Sequence, residues 1–205
     1  MIVYGASGHG KVIIEILEHT GEPHIEIWDD AEKSPVWDYP VNRPLAPGLP
    51  VTDKMVISIG VNATRRKVAD RFKDSVVFGM AIHSATNISK RAKIGEGTVV
   101  MAGVTINADS VVGKHCIINT SASVDHDCVL ENYVHISPNA TLSGNVQVGE
   151  GTHIGSGASV IQGIKIGKWC TVGAGTVVIR DIPDYATAVG NPARVIKVKQ
   201  PGNYE

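Results

Sequence analysis

Between Ile82 and Val178 the chain carries an aliphatic residue at every sixth position. The series begins Ile82, Ile88, Ile94, Val100, Ile106 and ends Ile166, Val172, Val178, and all 17 of its positions are Ile, Val or Leu. Those residue types make up 54 of the 205 residues, so chance would fill about four or five of the 17. A second series stands four residues after the first and is mostly small, including Thr98, Ser110, Cys116, Ala122, Cys128, Ala140, Thr152, Ala158, Cys170 and Thr176. Glycine often follows the aliphatic, as in Ile94-Gly95, Val112-Gly113, Val148-Gly149 and Ile166-Gly167. A period of six fits neither a helix at 3.6 nor a strand at 2. It fits a solenoid with three short walls per coil, each hexad making one wall and one corner. The aliphatic then points inward, the small residue sits beside the corner, and glycine relieves crowding where the chain turns. Seventeen hexads predict nearly six coils, stacked at roughly the 4.8 Å strand spacing. Each buried aliphatic contributes about 1.5–3 kcal/mol before entropy costs, so an aromatic content of 5% is sufficient.

The first 80 residues follow another pattern. Met1–Tyr4 reads as a strand, Val12–His19 as a helix, His24–Trp28 and Met55–Ile59 as further strands, Ala63–Phe72 as a basic helix and Val76–Phe78 as a last strand. Strands alternating with helices predict a small parallel sheet, hence an α/β module. The segment 33–50, with five prolines, reads as a loop. The first strand leads into Gly5-Ala-Ser7-Gly8-His9-Gly10-Lys11, a turn that presents backbone N–H groups and a helix N-terminus to a phosphate. Asp29 and Asp30 close the second strand, where an acid can accept ribose or base hydrogen bonds. The spacing G-x-x-G-x-G differs from the dinucleotide G-x-G-x-x-G, and ~80 residues make half of a two-lobed dinucleotide fold. A mononucleotide or nucleotide sugar fits better.

Composition narrows the function classes. A net charge of −1 offers no bulk attraction to nucleic acid or to an anionic membrane. No apolar run approaches the ~18 residues of a membrane span, and the start of the chain shows no basic region with a cleavage site. Cys116, Cys128 and Cys170 form no CxxC pair and all fall in the small inward series, so they read as packing residues of a protein in a reducing cytoplasm.

The candidate chemistry lies in Asp125-His126-Asp127. The hexad frame turns Val124 inward, Asp125 and His126 outward, and puts Asp127 at a corner. On spacing alone the trio is either a solvated corner or a base with orienting carboxylates. Gly144 follows His126 by one coil, and its backbone N–H could hold an oxyanion. His135 lies half a coil away, with His153 stacked over it. The β-helix carbonic anhydrases hold zinc with three histidines, which makes His115, His126, His135 and His153 a set to test. No pair among these four has the five-residue spacing of that family, so no metal is expected.

YGASGHGKV, Trp28-Asp29-Asp30, Gly60-x-Asn62, the central DHD and Ala188-Val-Gly-Asn-Pro-Ala-Arg194 occur in this order along essentially the whole chain. Together they resemble the PglD/NeuD family of bacterial sugar acetyltransferases, within the hexapeptide-repeat acyltransferases. The resemblance implies a Rossmann-like nucleotide-sugar domain over residues 1–80 and a left-handed parallel β-helix over 81–197; residues 198–205 read as a C-terminal tail, mobile over 200–205. It implies acetyl transfer from acetyl-CoA to the 4-amine of a UDP-linked 4-amino-4,6-dideoxy sugar. Relatives act on dTDP-amino sugars or O-acetylate sialic acid. The family's base corresponds to His126, and its basicity-raising acid to Asp127, where some relatives carry the longer Glu. Acetyl-CoA contacts correspond to His135, Gly144, Ser156 and Ala174, and nucleotide-sugar contacts to Ser7, Gly8, His9, Asp29, Asp30 and Gly60. Family members are homotrimers with sites between adjacent β-helices. Arg194, with Lys197 and Lys199, offers cations near a CoA phosphate; the two lysines read equally as a basic tail in solvent.

Overall fold

The computed structural model describes residues 1–45 and 51–200. The N-terminal sheet contains β1 (Ile2–Tyr4), β2 (Glu26–Trp28), β3 (Val41–Asn42) and β4 (Met55–Ile57), all parallel in the order β3-β2-β1-β4. Helix α1 (Gly8–His19) follows β1, and α2 (Asn62–Phe72) follows β4. Three expectations are corrected. Helix α1 begins at Gly8, four residues before Val12, so the glycine-rich turn is itself the first helical turn. The segment expected as a loop contributes β3, because Pro40 and Pro44 flank the paired residues and remove no donor from the ladder; residues 46–50 lie outside the described part. The strand expected at Val76–Phe78 is a single bridge from Phe78 to Met55.

From Ala81 the chain winds into a parallel β-solenoid of 17 two-residue strands, ending at Val177–Val178. The strands stack into three faces. The first holds Ala81–Ile82, Val99–Val100, Ile117–Ile118, His135–Ile136, His153–Ile154 and Thr171–Val172; the second holds Ser123–Val124 and its neighbours, the third Val129–Leu130 and its neighbours. Pairing is in register at 18 residues, as in Ile117↔His135 and His135↔His153. The aliphatic series from Val100 onward and the small series from Thr98 onward fill the interior, and all three cysteines are buried in it.

The glycines after the aliphatics have a different job from the one expected. From Ile94 to Val172, left-handed φ falls three residues after each aliphatic, at Gly97, Gly103, Asp109, His115, Ser121, Asp127, Tyr133 and every sixth residue on to Gly175. Glycine, Asn and Asp tolerate that region best. Gly95, Gly113 and Gly149 instead allow adjacent coils to approach: a Cβ on each would come 2.5–2.7 Å from backbone of the next coil.

The outer surface of the first face explains how the two modules dock. Its outward positions Ala81, Val99 and Ile117, with Met101, are apolar and buried against Ile13, Ile14, Ile16 and Leu17 of α1. The next rungs of the same ladder are His135 and His153. On the other side of the sheet, Val68, Ala69 and Phe72 of α2 pack on Tyr4, Met55 and Ile57, with Tyr133 of the solenoid alongside. After Val178 the repeat stops, and Ala186–Val189 and Arg194–Val198 form an antiparallel hairpin. Val198 therefore closes a strand, where the tail was expected to begin; residues 201–205 lie outside the described part.

Candidate active site

His126 stands at the corner between the second and third faces, and Asp127 occupies the left-handed corner position at φ 59°. Nδ1 of His126 lies 2.7 Å from Oδ2 of Asp127. The shorter Asp side chain therefore reaches the imidazole directly. Asp125 does not compete for the ring: its Oδ1 accepts from Nδ2 of Asn107 at 2.7 Å and from the His126 backbone N–H at 2.8 Å. Those bonds hold the Asp125 carboxyl below its usual range. The bond to Asp127, helped by the charge of Asp125, raises the pKa of His126 above its usual value. A carboxylate can only accept, so Nδ1 carries the proton and Nε2 presents a lone pair. The ring lies over Gly144, where a Cβ would come 2.7 Å from Nε2. Among the described residues no backbone carbonyl accepts from the Gly144 N–H.

The remaining expected acetyl-CoA contacts are divided. Ser156 and Ala174 are exposed, stacked one coil apart on the corner between the first and second faces. The second face, with outward Thr105, Ser123, Thr141 and Ser159, joins that corner to Gly144 and His126. His135 is elsewhere, on the first face, with its ring 4.6 Å from that of His153 and nearly parallel at 7°. Both rings line a cleft of ≈ 820 Å³ with Gly60, Asn62, Thr171 and Lys199, a size suited to a small ligand. Lys199 thus borders the His153 side, away from Ser156 and Ala174, while Arg194 and Lys197 are exposed on the final hairpin.

In the N-terminal module Ser7 is exposed, in extended conformation at the N-cap of α1, and its side chain makes no capping bond. A Cβ at Gly8 would meet nothing, so that turn is open, whereas one at Gly10 would lie 2.5 Å from the Gly5 carbonyl oxygen. Nε2 of His9 is buried without a hydrogen-bond partner. Burial, then the nearby charge of Arg65, pushes the His9 pKa down to about 4. The two acids are more occupied than expected. Asp29 accepts from the Ala6 and Ala31 backbone N–H groups at 2.9 and 2.8 Å, so it pins the glycine-rich turn. Asp30 accepts from the Tyr4 hydroxyl at 2.5 Å and from Arg71 at 2.9 Å. The four histidines considered for a metal do not gather. His115 is buried between Phe78 and Tyr133, His126 is on another corner, and His135 pairs with His153. Among the described residues the one close set of ligand atoms is His24, Glu26 and Asp53, on the N-terminal module.

Arg65 is the residue the sequence analysis missed. Its side chain is buried, and all five of its N–H donors are used. Nε donates to the His115 carbonyl at 2.8 Å; Nη1 to those of Ile59 and Gly60 at 2.9 and 3.3 Å; Nη2 to Asn62 Oδ1 and the Tyr133 carbonyl at 2.7 and 2.9 Å. It thereby ties the Gly60 segment to two corners of the solenoid, beside the bond from Asn62 Nδ2 to the Gly151 carbonyl. Periodicity placed it on a basic helix among Arg66 and Lys67, and nothing in that run separates a buried arginine from exposed ones.

A triangular solenoid carrying an imidazole–carboxylate pair over a glycine backbone, joined to a nucleotide-type α/β module, defines a hexapeptide-repeat acyltransferase. Residues 1–72 match the PglD N-terminal domain, and residues 145–180 match the bacterial transferase hexapeptide (six repeats). A histidine-to-asparagine mutant of perosamine N-acetyltransferase from Caulobacter crescentus, in complex with CoA and GDP-perosamine, is 40% identical with a TM-score of 0.90, covering 96% of both chains. The acetyltransferase domain of PglB from Neisseria gonorrhoeae FA1090, in complex with acetyl coenzyme A, is 38% identical with a TM-score of 0.89, covering 95% of this chain and 98% of that one. UDP-N-acetylbacillosamine N-acetyltransferase from Bacillus subtilis (strain 168) is 44% identical over 112 residues, which is 49% of this chain and 50% of that protein. The chain belongs to the PglD-type family of sugar N-acetyltransferases.

Proposed function

We propose that the protein transfers an acetyl group from acetyl-CoA to the 4-amine of a UDP-linked 4-amino-4,6-dideoxy sugar. The observation that carries this reading is the His126–Asp127 pair, whose free Nε2 faces outward above Gly144. The neutral amine attacks the thioester carbonyl as Nε2 takes its proton, a role typically worth ~10²–10⁴-fold. The Gly144 N–H holds the developing oxyanion. The C–S bond then breaks, the thiolate takes up the proton, and the amide remains; no protein nucleophile is required.

Residues 1–80 act as the nucleotide-sugar module, with Ser7, Gly8, His9, Asp29, Asp30 and Gly60 around the ligand, and residues 81–197 as the acetyl-CoA module. Asp29 acts there through the turn that it pins. Acetyl-CoA extends along the second face past Gly144, Ser156 and Ala174, with His135 contributed by a neighbouring copy. The homotrimer follows from the family resemblance, and topology supports a site shared between copies. In one chain the N-terminal module covers the Ala81, Val99 and Ile117 rungs of the first face and packs beside the Tyr133 corner, and the whole third face separates these from the His126 corner. The buried free thiols support action in the cytoplasm, and among the described residues no helix is long and apolar enough to cross a membrane. A GDP-linked amino sugar is the second reading, favoured by the GDP-perosamine in the Caulobacter relative.

Acetyl-CoA incubated with UDP-, GDP- and dTDP-linked 4-amino sugars and with sialic acid, followed by product mass, tests the proposal. Acetylation of the UDP sugar is expected. Transfer to none of the nucleotide amino sugars, or a folded His126→Ala protein turning over at the wild-type rate, would overturn it.

A further inference from the structure

The two stacked imidazoles of the first face are held from the preceding rung. Nε2 of His153 lies 2.7 Å from Oγ of Ser137, and Nε2 of His135 lies 3.2 Å from Nδ2 of Asn119. The second contact has a fixed polarity. Oδ1 of Asn119 accepts from the Thr120 backbone N–H at 2.8 Å and from its hydroxyl at 3.4 Å. A backbone N–H can only donate, so the oxygen end of the amide must face Thr120 and the NH₂ end must face the ring. An amide nitrogen can in turn only donate, so Nε2 of His135 must be the unprotonated atom. The proton of the neutral ring then sits on Nδ1, which is buried and finds no hydrogen-bond partner.

The surroundings keep that ring neutral. Burial is the largest cause, followed by His153, Arg65 and His9, and together they push its pKa down to about 2. The Gly60 backbone is the smallest influence and acts the other way, favouring a proton on the ring, but no atom meets hydrogen-bonding geometry at Nδ1. A buried N–H without an acceptor costs free energy, and a ligand oxygen recovers it.

We propose that Asn119 is a positioning residue that fixes His135 as the Nδ1–H tautomer, so that this ring meets its ligand as a hydrogen-bond donor and never as a base. The division of labour with His126 follows. Both rings carry the proton on Nδ1, but His126 spends it on Asp127 and offers a lone pair, whereas His135 offers the proton itself. The ligand atom is an oxygen acceptor, either the thioester carbonyl of acetyl-CoA or a hydroxyl of the sugar nucleotide. This ligand half rests on the acetyl-transfer reading above; the tautomer half does not.

Full-length protein labelled with ¹⁵N-histidine, studied by long-range proton–nitrogen correlation from about pH 6 to 8, tests it. His135 should show a protonated Nδ1 and an unprotonated Nε2 throughout. In Asn119→Asp a carboxylate can only accept, so the proton should move to Nε2. That variant should lose about 10²-fold in kcat/KM while its melting temperature stays near wild type, whereas a merely structural asparagine would leave the tautomer unchanged. Acetyl-CoA or UDP-N-acetylglucosamine, added separately, should move the Nδ1 proton downfield, and the effective one identifies the acceptor. A wild-type Nε2–H tautomer, a ring that titrates in this range, or an Asn119→Asp spectrum like wild type would overturn the tautomer. Silence of Nδ1–H to both ligands would overturn the donor role. Absence of any acetyl transfer would sink the function above and leave the spectra standing.

Discussion

The imidazole of His126 occupies the space that a Cβ on Gly144 would fill: that atom would come 2.6 Å from Cε1 and 2.7 Å from Nε2. The glycine was expected to offer its backbone N–H to an oxyanion; here it also seats the ring of the proposed base. Gly144 does not adopt a left-handed φ, so alanine fits its backbone and displaces the imidazole instead. A displacement of about 1 Å at a reacting group can cost ~10²-fold. Gly144→Ala should therefore lower kcat by about that factor while keeping its melting temperature, measured by thiol release from acetyl-CoA beside a thermal melt. Wild-type turnover would show that the ring position is irrelevant.

The bond between His126 and Asp127 sets a pH dependence. Asp127 raises the imidazole pKa above its usual ~6.5, and only the neutral ring can accept a proton. Activity should therefore fall as pH drops through the raised value. Asp127→Asn keeps the shape and suits the left-handed corner, but removes the charge. The acidic limb of the kcat/KM profile should then move to lower pH, and the plateau should drop by about 10-fold or more. An unmoved acidic limb would detach Asp127 from the titration.

The solenoid was legible because its physics is one-dimensional. A narrow prism accepts one aliphatic and one small residue per wall, so the period of six survives every change of surface residue. The Asp127 contact was legible only as a possibility, since reach across a corner depends on the left-handed φ that the DHD spelling does not reveal. What stayed hidden depends on docking between modules. Val99 and Ile117 stand at outward positions where later rungs carry His135 and His153, and that change from apolar to polar marks the edge of the covered surface. Asn119 looked like any outward polar residue, and its meaning comes from a ring 16 positions on.

The three cysteines provide a direct check on the inward series. Cys116, Cys128 and Cys170 are buried and unpaired. Burial raises all three thiol pKa values, that of Cys116 to about 12. Thiolate, the reactive form, is therefore scarce at neutral pH. A colorimetric disulfide reagent should find essentially no thiol in the native protein and three after guanidinium unfolding. Rapid native labelling of even one would contradict the packing role.

Arg65 provides the strongest test of how the modules are joined. Its pKa is pushed down by burial, to about 10, so it remains charged at neutral pH. Among the described residues no carboxylate compensates it; the positive charge is stabilised by four carbonyls and one amide oxygen. Arg65→Met removes every donor at once and leaves those buried acceptors facing an apolar chain. Each unsatisfied group costs about 1–3 kcal/mol, and partial hydration leaves an expected loss of about 3–5 kcal/mol. At about 2–4 °C per kcal/mol for a chain of this size, the melting temperature should fall by roughly 6–20 °C. Arg65→Lys keeps the charge but has three donors for five acceptors, so it should fall by an intermediate amount. Asn62→Ala removes one Arg65 partner and the bond to Gly151, and should cost about 1–3 kcal/mol. Differential scanning calorimetry of the three variants orders them as methionine, lysine, then alanine from least to most stable. If Arg65→Met melted within a degree or two of wild type, the arginine cage would not be what clamps the Gly60 segment to the solenoid.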